Sequence, residues 1–472
     1  MNFSYKSGIY WYRRDLRIGD HKILKTASQQ CAAVFPLYIL TAWKQQHQWT
    51  GANRQQFLCE CLASLAANLN TIEGRLIIRH GNALDELRKM IIETQADVLY
   101  FQLDPDPHGK LIEKAVKVMC EEMGVKVHAE HDVSLHSPDE ILTGGAQPYR
   151  VYTPYSKNWL AKPKDQPVTK ISSLRTPPHI SSDPLPTLAW WGLKPNNTTM
   201  LEGGEKAARQ RFHHALALRI GDYQKCRDIP ALNATSRISQ DLRHGLLSLR
   251  SIYASIQSAN EAASSEHKNG IHIYLKELAW REFYFAILHY YPEVLESEFS
   301  PQWRGLPWDQ PDEKLVAWQQ GRTGFPIVDA GMRELLATGH MHNRVRMIVA
   351  MFFTKDLHYD WRIGESWFMQ HLIDGEIASN NGGWQWSAGT GADAAPYFRI
   401  QNPWSQTARF DPQGIYIKRW VPELANISAD KFHQAPIDGR PIATDYPLPI
   451  CDHNRERLRT LALFKKHKDQ QR

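Results

Sequence analysis

The first third of the chain alternates between two hydrophobic patterns. Compact apolar runs at Gly8–Trp11, Ala32–Leu40, Leu76–Ile78, Val98–Leu103 and Val125–His128 have the length of buried strands. Between them, apolar residues recur at helical spacing in Gln55–Leu69, Ala83–Ile92 and Lys110–Met123. This order predicts a parallel, Rossmann-like sheet with crossover helices. From Gly203 onward the helical period takes over, with candidates at Glu205–Ile220, Leu249–Ala262, Ile271–His289, Pro326–Ala337 and Met341–Asp356. The stretch between carries Pro148, Pro154, Pro163, Pro167, Pro177, Pro178, Pro184, Pro186 and Pro195. Such spacing fits neither helix nor central strand and predicts a long connection. The expected division is an α/β N-terminal domain over 1–135, a proline-rich connection over 136–204 and a larger all-α C-terminal domain over 205–472.

Composition narrows the class. At 472 residues the chain exceeds the roughly 100–200 of one ordinary domain. A net charge of +6 permits a local nucleic-acid-binding patch without requiring one. The six cysteines lack CxxC spacing, which points away from zinc and from a disulfide framework. The start of the chain has no signal-peptide core, and no apolar run reaches bilayer length, so a cytoplasmic protein is expected. No G-x-G-x-x-G follows the first apolar run, which disfavours a Rossmann dehydrogenase. The loop there carries Arg13, Arg14, Asp15 and Arg17 instead, which reads as a solvated charge cluster.

Candidate chemistry concentrates late in the chain, where ten of the sixteen tryptophans lie between Trp280 and Trp420. The stretch Asp374–Arg399, DGEIASNNGGWQWSAGTGADAAPYFR, mixes carboxylates, paired Asn and Gly, and Trp-Gln-Trp. Gly382 and Gly383 would let backbone approach a flat ligand. Asp374, Glu376, Asn380 and Asn381 offer donors and acceptors for its polar rim. The alternative is a Gly-rich turn with Trp384 and Trp386 in the core. Thr235, Ser236, Arg237, Ile238 and Ser239, with Tyr223 upstream, could serve a diphosphate, although Ser/Thr helix caps look similar. Glu277 and Trp280 share a helical face, as do Asn343 and Met347, and two amphipathic helices would explain them equally well.

These blocks, in order from Trp11-Tyr12-Arg13-Arg14-Asp15-Leu16-Arg17 through Asn380–Trp386 and Ala394–Ile400 to Trp420–Leu424, closely resemble the DNA photolyase/cryptochrome family. Within it, the chain looks most like the microbial (class I) cyclobutane-pyrimidine-dimer photolyases. The resemblance implies light-driven repair of pyrimidine dimers in DNA, with one electron passing from reduced FAD to a flipped-out dimer and back. It implies a monomer and a helical FAD domain in which Tyr223, Thr235, Ser236, Arg237, Ile238 and Ser239 hold the pyrophosphate. Arg346, Asp374, Gly375, Glu376 and Asn380 would surround the ring, Arg346 pairing with Asp374; Glu376 stands where the family usually has Asp. Trp280 and Trp386 would pack on the dimer, with Glu277 and Asn343 on its polar edges and Met347 in contact. Arg227, Arg281, Arg344, Arg399 and Gln406 would hold DNA, and Trp308, Trp361 and Trp384 would relay electrons to the flavin. Asp104 and Asp106, after the fourth apolar run, resemble photolyases with a second, light-harvesting chromophore. A deazaflavin or FMN type is expected ahead of methenyltetrahydrofolate. The rivals are a cryptochrome photoreceptor, a flavin oxidoreductase active in the dark, and a (6-4) photolyase. Glu277, Trp280, Asn343 and Met347, with no long tail after the core, favour dimer repair over the photoreceptor. Asn343 and Met347 also occupy the stretch where a (6-4) enzyme would place a histidine.

Overall fold

The structure is a computed structural model describing residues 3–41, 49–196, 199–437 and 439–470. By packing, the chain forms two compact units. The first comprises Met1–Asn196, Leu201–Gly221 and Ser236–Pro292, and the second comprises Asn197–Met200, Asp222–Thr235 and Glu293–Arg472.

The first unit contains the expected sheet. Strands β1 (Tyr5–Tyr12), β2 (Cys31–Leu40), β3 (Ile77–His80), β4 (Val98–Gln102) and β5 (Lys126–Glu130) pair in the order β3-β2-β1-β4-β5. Every pairing is parallel. Alternation sorts the side chains: Ile9, Trp11, Phe35, Leu37, Leu99 and Phe101 share a buried cluster with Leu87, Met90, Val116 and Met119. The last four lie on helices α3 (Ala83–Thr94) and α4 (Pro107–Glu122), which follow α1 (Lys22–Gln30) and α2 (Ala52–Asn70). The intervening positions Tyr10, Tyr12, Tyr38 and Tyr100 are also buried. Strand order reverses between β1 and β4, so the loops after these two strands meet at the switch point where open α/β sheets place ligands.

Two sequence expectations fail here. The Arg13–Arg17 cluster is buried, not solvated: Arg14 is 8% exposed, Asp15 0% and Arg17 2%. Each charge has a partner, which is what makes its burial tolerable. Arg17 meets Asp132 at 2.8 Å, Arg14 meets Asp104 at 3.1 Å, and Asp15 accepts from Tyr10. The proline-rich stretch is not free of helix either, because α5 spans Tyr152–Ala161. Its Pro154 is the third helical residue, where the missing N–H has no intrahelical acceptor to lose.

Helices α6 (Glu205–Leu218), α7 (Leu249–Ala262) and α8 (Ser265–Tyr290) complete this unit. Glu282 of α8 is fully buried and accepts from the Leu135 N–H at 2.6 Å, the His136 N–H at 3.2 Å and the Trp159 indole at 2.7 Å. It ties α8 to α5 and to the segment after β5.

The second unit is helical: α9 (Pro326–Thr338), α10 (Asn343–Met351), α11 (Trp361–His371), α12 (Ile377–Ala388), α13 (Pro403–Phe410) and α14 (His453–Gln470), with shorter helices between. The periodicity of Met341–Asp356 predicts one helix, but the α-helix stops at Met351 and Phe352–Asp356 forms a π-helical turn. Around it, Phe325, Val345, Phe352, Phe353, Trp361, Phe368 and Trp384 form the core, with Trp308 packed at its margin.

Candidate flavin and DNA site

The Asp374–Arg399 stretch is organised by α12. The paired Asn and Gly do not make a turn; helix runs through all of them. Asn381 and Gln385, one turn apart, staple it inward. The Asn381 amide donates to Val294 O at 3.0 Å and to Glu365 Oε1 at 3.1 Å. Gln385 donates to Val294 O at 2.9 Å and accepts from the Phe299 N–H at 2.8 Å. Asn381 is thus committed to packing, contrary to the ring-binding role expected of it. Asn380 stays half-buried, its amide donating to Glu365 O at 3.0 Å. Asn380, Gly383 and Trp386 follow at intervals of three, all half-buried, and form the open face of α12. A Cβ at Gly383 would meet no atom within 4 Å, so the protein's own packing does not require glycine there.

Beside the start of α12 lies Asp374, nearly buried. The Arg346 guanidinium donates to both carboxylate oxygens, at 3.2 and 2.9 Å, and its Nε donates to Met341 O at 2.8 Å. One Nη2 serves both oxygens while Nε is held by the Met341 carbonyl, an anchoring that a lysine's single ammonium would not reproduce. Glu376 is the buried N-cap residue of α12. On α10, Asn343 is exposed and Met347 half-buried. Arg344 bonds Asp228 at 2.8 Å and lies over Phe410, whereas Arg399 is exposed and Gln406 half-buried.

Glu365 was not visible as a site residue in the sequence, since nothing in its neighbourhood marks it. Burial pushes its carboxyl up to about 8 from 4.5, against the opposing pull of Asn381 and Arg362. A raised folded value means protonation favours the fold. That contribution is full below the ordinary carboxylate range, shrinks as pH rises, and is gone above about 8. Glu365→Gln keeps the hydrogen-bonding shape without the titration. Its melting temperature relative to the unaltered protein should therefore climb from pH 5 to about pH 8 and level off above that. A pH-independent difference between the two would contradict the buried, proton-binding carboxyl.

The three expected relay tryptophans lie in the second unit. Trp361 and Trp384 are fully buried in its core and Trp308 is half-buried at the margin. The Trp361 indole donates to Glu298 at 3.2 Å, while the Trp384 and Trp308 N–H groups have no partner in the structure. Trp384 rests on Gly364, where an added Cβ would lie 2.1 Å from the ring.

The remaining residues are divided between the units. Tyr223, Arg227 and Thr235 lie in the second, half-buried. Ser236, Arg237, Ile238 and Ser239 lie in the first, where Ser236 accepts from the Tyr274 hydroxyl at 2.9 Å and Arg237 has φ 51°. Glu277, Trp280 and Arg281 lie on α8, all half-buried. The Arg281 guanidinium turns inward, donating to Val133 O at 2.9 Å and lying over Phe285. Burial and Arg14 lower its pKa to about 9, which leaves the guanidinium charged at neutral pH.

Asp104 and Asp106 sit at the switch point after β4. Burial opposes the charge on Asp104, yet Arg14 and Arg13 outweigh it and hold the carboxyl below its usual range. Asp106 caps α4 through the Gly109 N–H at 2.7 Å, and burial beside Asp104 raises it to about 7. Both are engaged with protein groups.

A unit with a parallel five-stranded sheet and a helical unit bearing an ion-paired carboxylate in a tryptophan-rich core are the parts expected of a flavoprotein of the photolyase type. The family model of DNA photolyase matches residues 8–174, and that of the FAD binding domain of DNA photolyase matches 274–466. The deoxyribodipyrimidine photo-lyase of Synechococcus is 38% identical over 466 residues, covering 97% of this chain and 96% of that one. The crystal structure of a bacterial class III photolyase from Agrobacterium tumefaciens superposes with a TM-score of 0.91 at 35% identity, covering 99% of both chains. An archaeal photolyase from Sulfolobus tokodaii, solved with two FAD molecules and implicating a novel light-harvesting cofactor, gives 0.85 at 28% identity over 98% of this chain and all of that one. The chain belongs to the DNA photolyase family.

The residues present fit FAD. A flat ring with a polar rim suits the fixed Asp374 carboxylate and the open Asn380–Gly383–Trp386 face, where no side chain fills the space over Gly383.

Proposed function

We propose that the protein is a deoxyribodipyrimidine photo-lyase that uses bound FAD and light to split cyclobutane pyrimidine dimers in DNA. The observation that carries this reading is the Arg346–Asp374 ion pair beside the open face of α12, within a chain 38% identical to a photo-lyase over nearly its whole length. Held beside Asp374 and Asn380, FAD in its reduced form would supply light-driven one-electron chemistry with no net redox change. The protein's own task is to extract and hold the dimer. Photolyases act on a target flipped out of the stack, and unstacking costs least at a damaged step. Trp280 and Trp386 supply π-surface, which serves any base. Glu277 and Asn343 bond the polar edges, and Met347 adds apolar contact. Arg227, Arg344, Arg399 and Gln406 serve the strand, whose phosphates position without specifying. Tyr223, Thr235, Ser236, Arg237, Ile238 and Ser239 serve the pyrophosphate.

The same reading gives residues 1–135 as an antenna domain, 136–204 as the connection and 205–472 as the FAD- and DNA-binding domain. The switch-point residues Asp104 and Asp106 belong to a second chromophore site, with a deazaflavin or FMN type ahead of methenyltetrahydrofolate. No helix among the described residues is long and apolar enough to cross a membrane. A cytoplasmic monomer with reduced thiols completes the proposal, and the described cysteines are all unpaired.

Glu277→Ala tests the lesion-facing assignment. It should weaken binding to dimer-containing DNA roughly tenfold, the size of a lost charged hydrogen bond. FAD content should stay at one per chain. Undiminished dimer binding and repair in this variant would contradict the role given to Glu277.

A further inference from the structure

The most parallel ring pair in the first unit involves a residue given no role so far. Tyr152, the first residue of α5, stacks on Trp280 of α8 with centroids 3.6 Å apart and planes 9° from parallel. No third ring can enter between them. The Tyr152 hydroxyl donates to Lys276 O at 2.6 Å, one turn before Trp280 on the same helix, so the phenol is tethered to the helix it covers. Phe283 braces both rings edge-on, at 5.9 Å from Tyr152 and 5.6 Å from Trp280. Tyr152 is 7% exposed, whereas Trp280 is only half-buried, with Tyr284 tilted against it at 5.5 Å and 33° and Glu277 on the same stripe of α8. An unsupported indole on a helix surface could swing between rotamers and offer either face to a base. The stacked, tethered tyrosine removes that choice.

We propose that Tyr152 is a positioning residue for dimer recognition, covering one face of Trp280 so that a flipped-out pyrimidine is received only on the other. The proposal rests on the lyase reading above, and it makes discrimination between dimer and undamaged DNA depend on a residue that touches neither. Any cost to overall stability is separate from that discrimination.

The test uses the full-length, FAD-loaded protein and compares dark affinities for one oligonucleotide with and without a single pyrimidine dimer. Tyr152→Leu should lower the dimer-to-undamaged affinity ratio by roughly fivefold, the size of one lost aromatic stack. Affinity for undamaged DNA and FAD content should hold. Tyr152→Phe keeps the ring and should stay within about twofold of the original ratio. In a Trp280→Leu background, Tyr152→Leu should have no further effect on the ratio, because the group it positions is gone. If Tyr152→Leu does not fold, Tyr152→His, with less ring area, should give a ratio between those of Phe and the unaltered protein minus the stack. An unchanged ratio in a folded Leu or His variant would overturn the proposal, as would equal losses on both DNAs or an additive effect with Trp280→Leu. A parent protein with no preference for dimer DNA would overturn the lyase reading itself.

Discussion

Arg346→Leu should purify without its flavin and melt well below the unaltered protein. The substitution leaves the Asp374 carboxylate, with 6% of its side chain exposed, without the guanidinium that clamps both of its oxygens. Stranding one partner of a buried pair costs about 3–5 kcal/mol, and the lower end applies because a quarter of the Arg346 side chain reaches solvent, 25% by area. The carboxylate would then recruit water or a proton and lose the geometry that a flat ring's polar rim requires. Arg346→Lys should recover part of the flavin, since it returns the charge but not the Nε bond to Met341 O that fixes the guanidinium. Flavin at one per chain and an unshifted melting temperature in Arg346→Leu would remove Asp374 from the cofactor site.

Trp308→Phe should slow light-driven reduction of oxidised FAD at least about tenfold, a barrier increase of about 1.4 kcal/mol. Repair by protein whose FAD was reduced chemically beforehand should be unchanged. Of the three relay candidates, Trp308 alone is half-buried at the core margin, where an external reductant can reach it. It would serve activation of the cofactor and not the splitting of the dimer. Equal loss of repair after chemical reduction would make Trp308 a structural residue.

Much of the fold was legible in the sequence because burial on both faces of a parallel sheet leaves uninterrupted apolar runs. All five described strands overlap the runs that announced them, from Tyr5–Tyr12 to Lys126–Glu130. The misreadings share a physical cause: composition does not show partners. Arg13, Arg14 and Arg17 look solvated until Asp104, Glu113 and Asp132, roughly a hundred residues away, are brought to them, and Asp15 until Tyr10 and His21 close on it. Pro154 looks like a breaker because position within a helix, not proline itself, decides whether an N–H is missed. The π-helical turn at Phe352–Asp356 leaves no mark, since its residues are buried all round and periodicity is silent there. In the site, Asp374, Asn380 and the tryptophans stood out by their unusual company. Glu365 did not, because its importance lies in what it touches, and neither did the contact between Tyr152 and Trp280. The pairing of Tyr152 with Trp280 spans 128 positions and no local pattern encodes it.

The central claim concerns light. Protein with FAD reduced chemically should be mixed with an oligonucleotide carrying one cyclobutane pyrimidine dimer and split between blue light and darkness, and the restored bases counted. Binding should weaken with added salt in both halves, as phosphates release their counterions. The account predicts restored pyrimidines in the illuminated half only, with the flavin still reduced at the end. Equal restoration in the dark, or none in the light despite bound FAD and bound dimer, would contradict it.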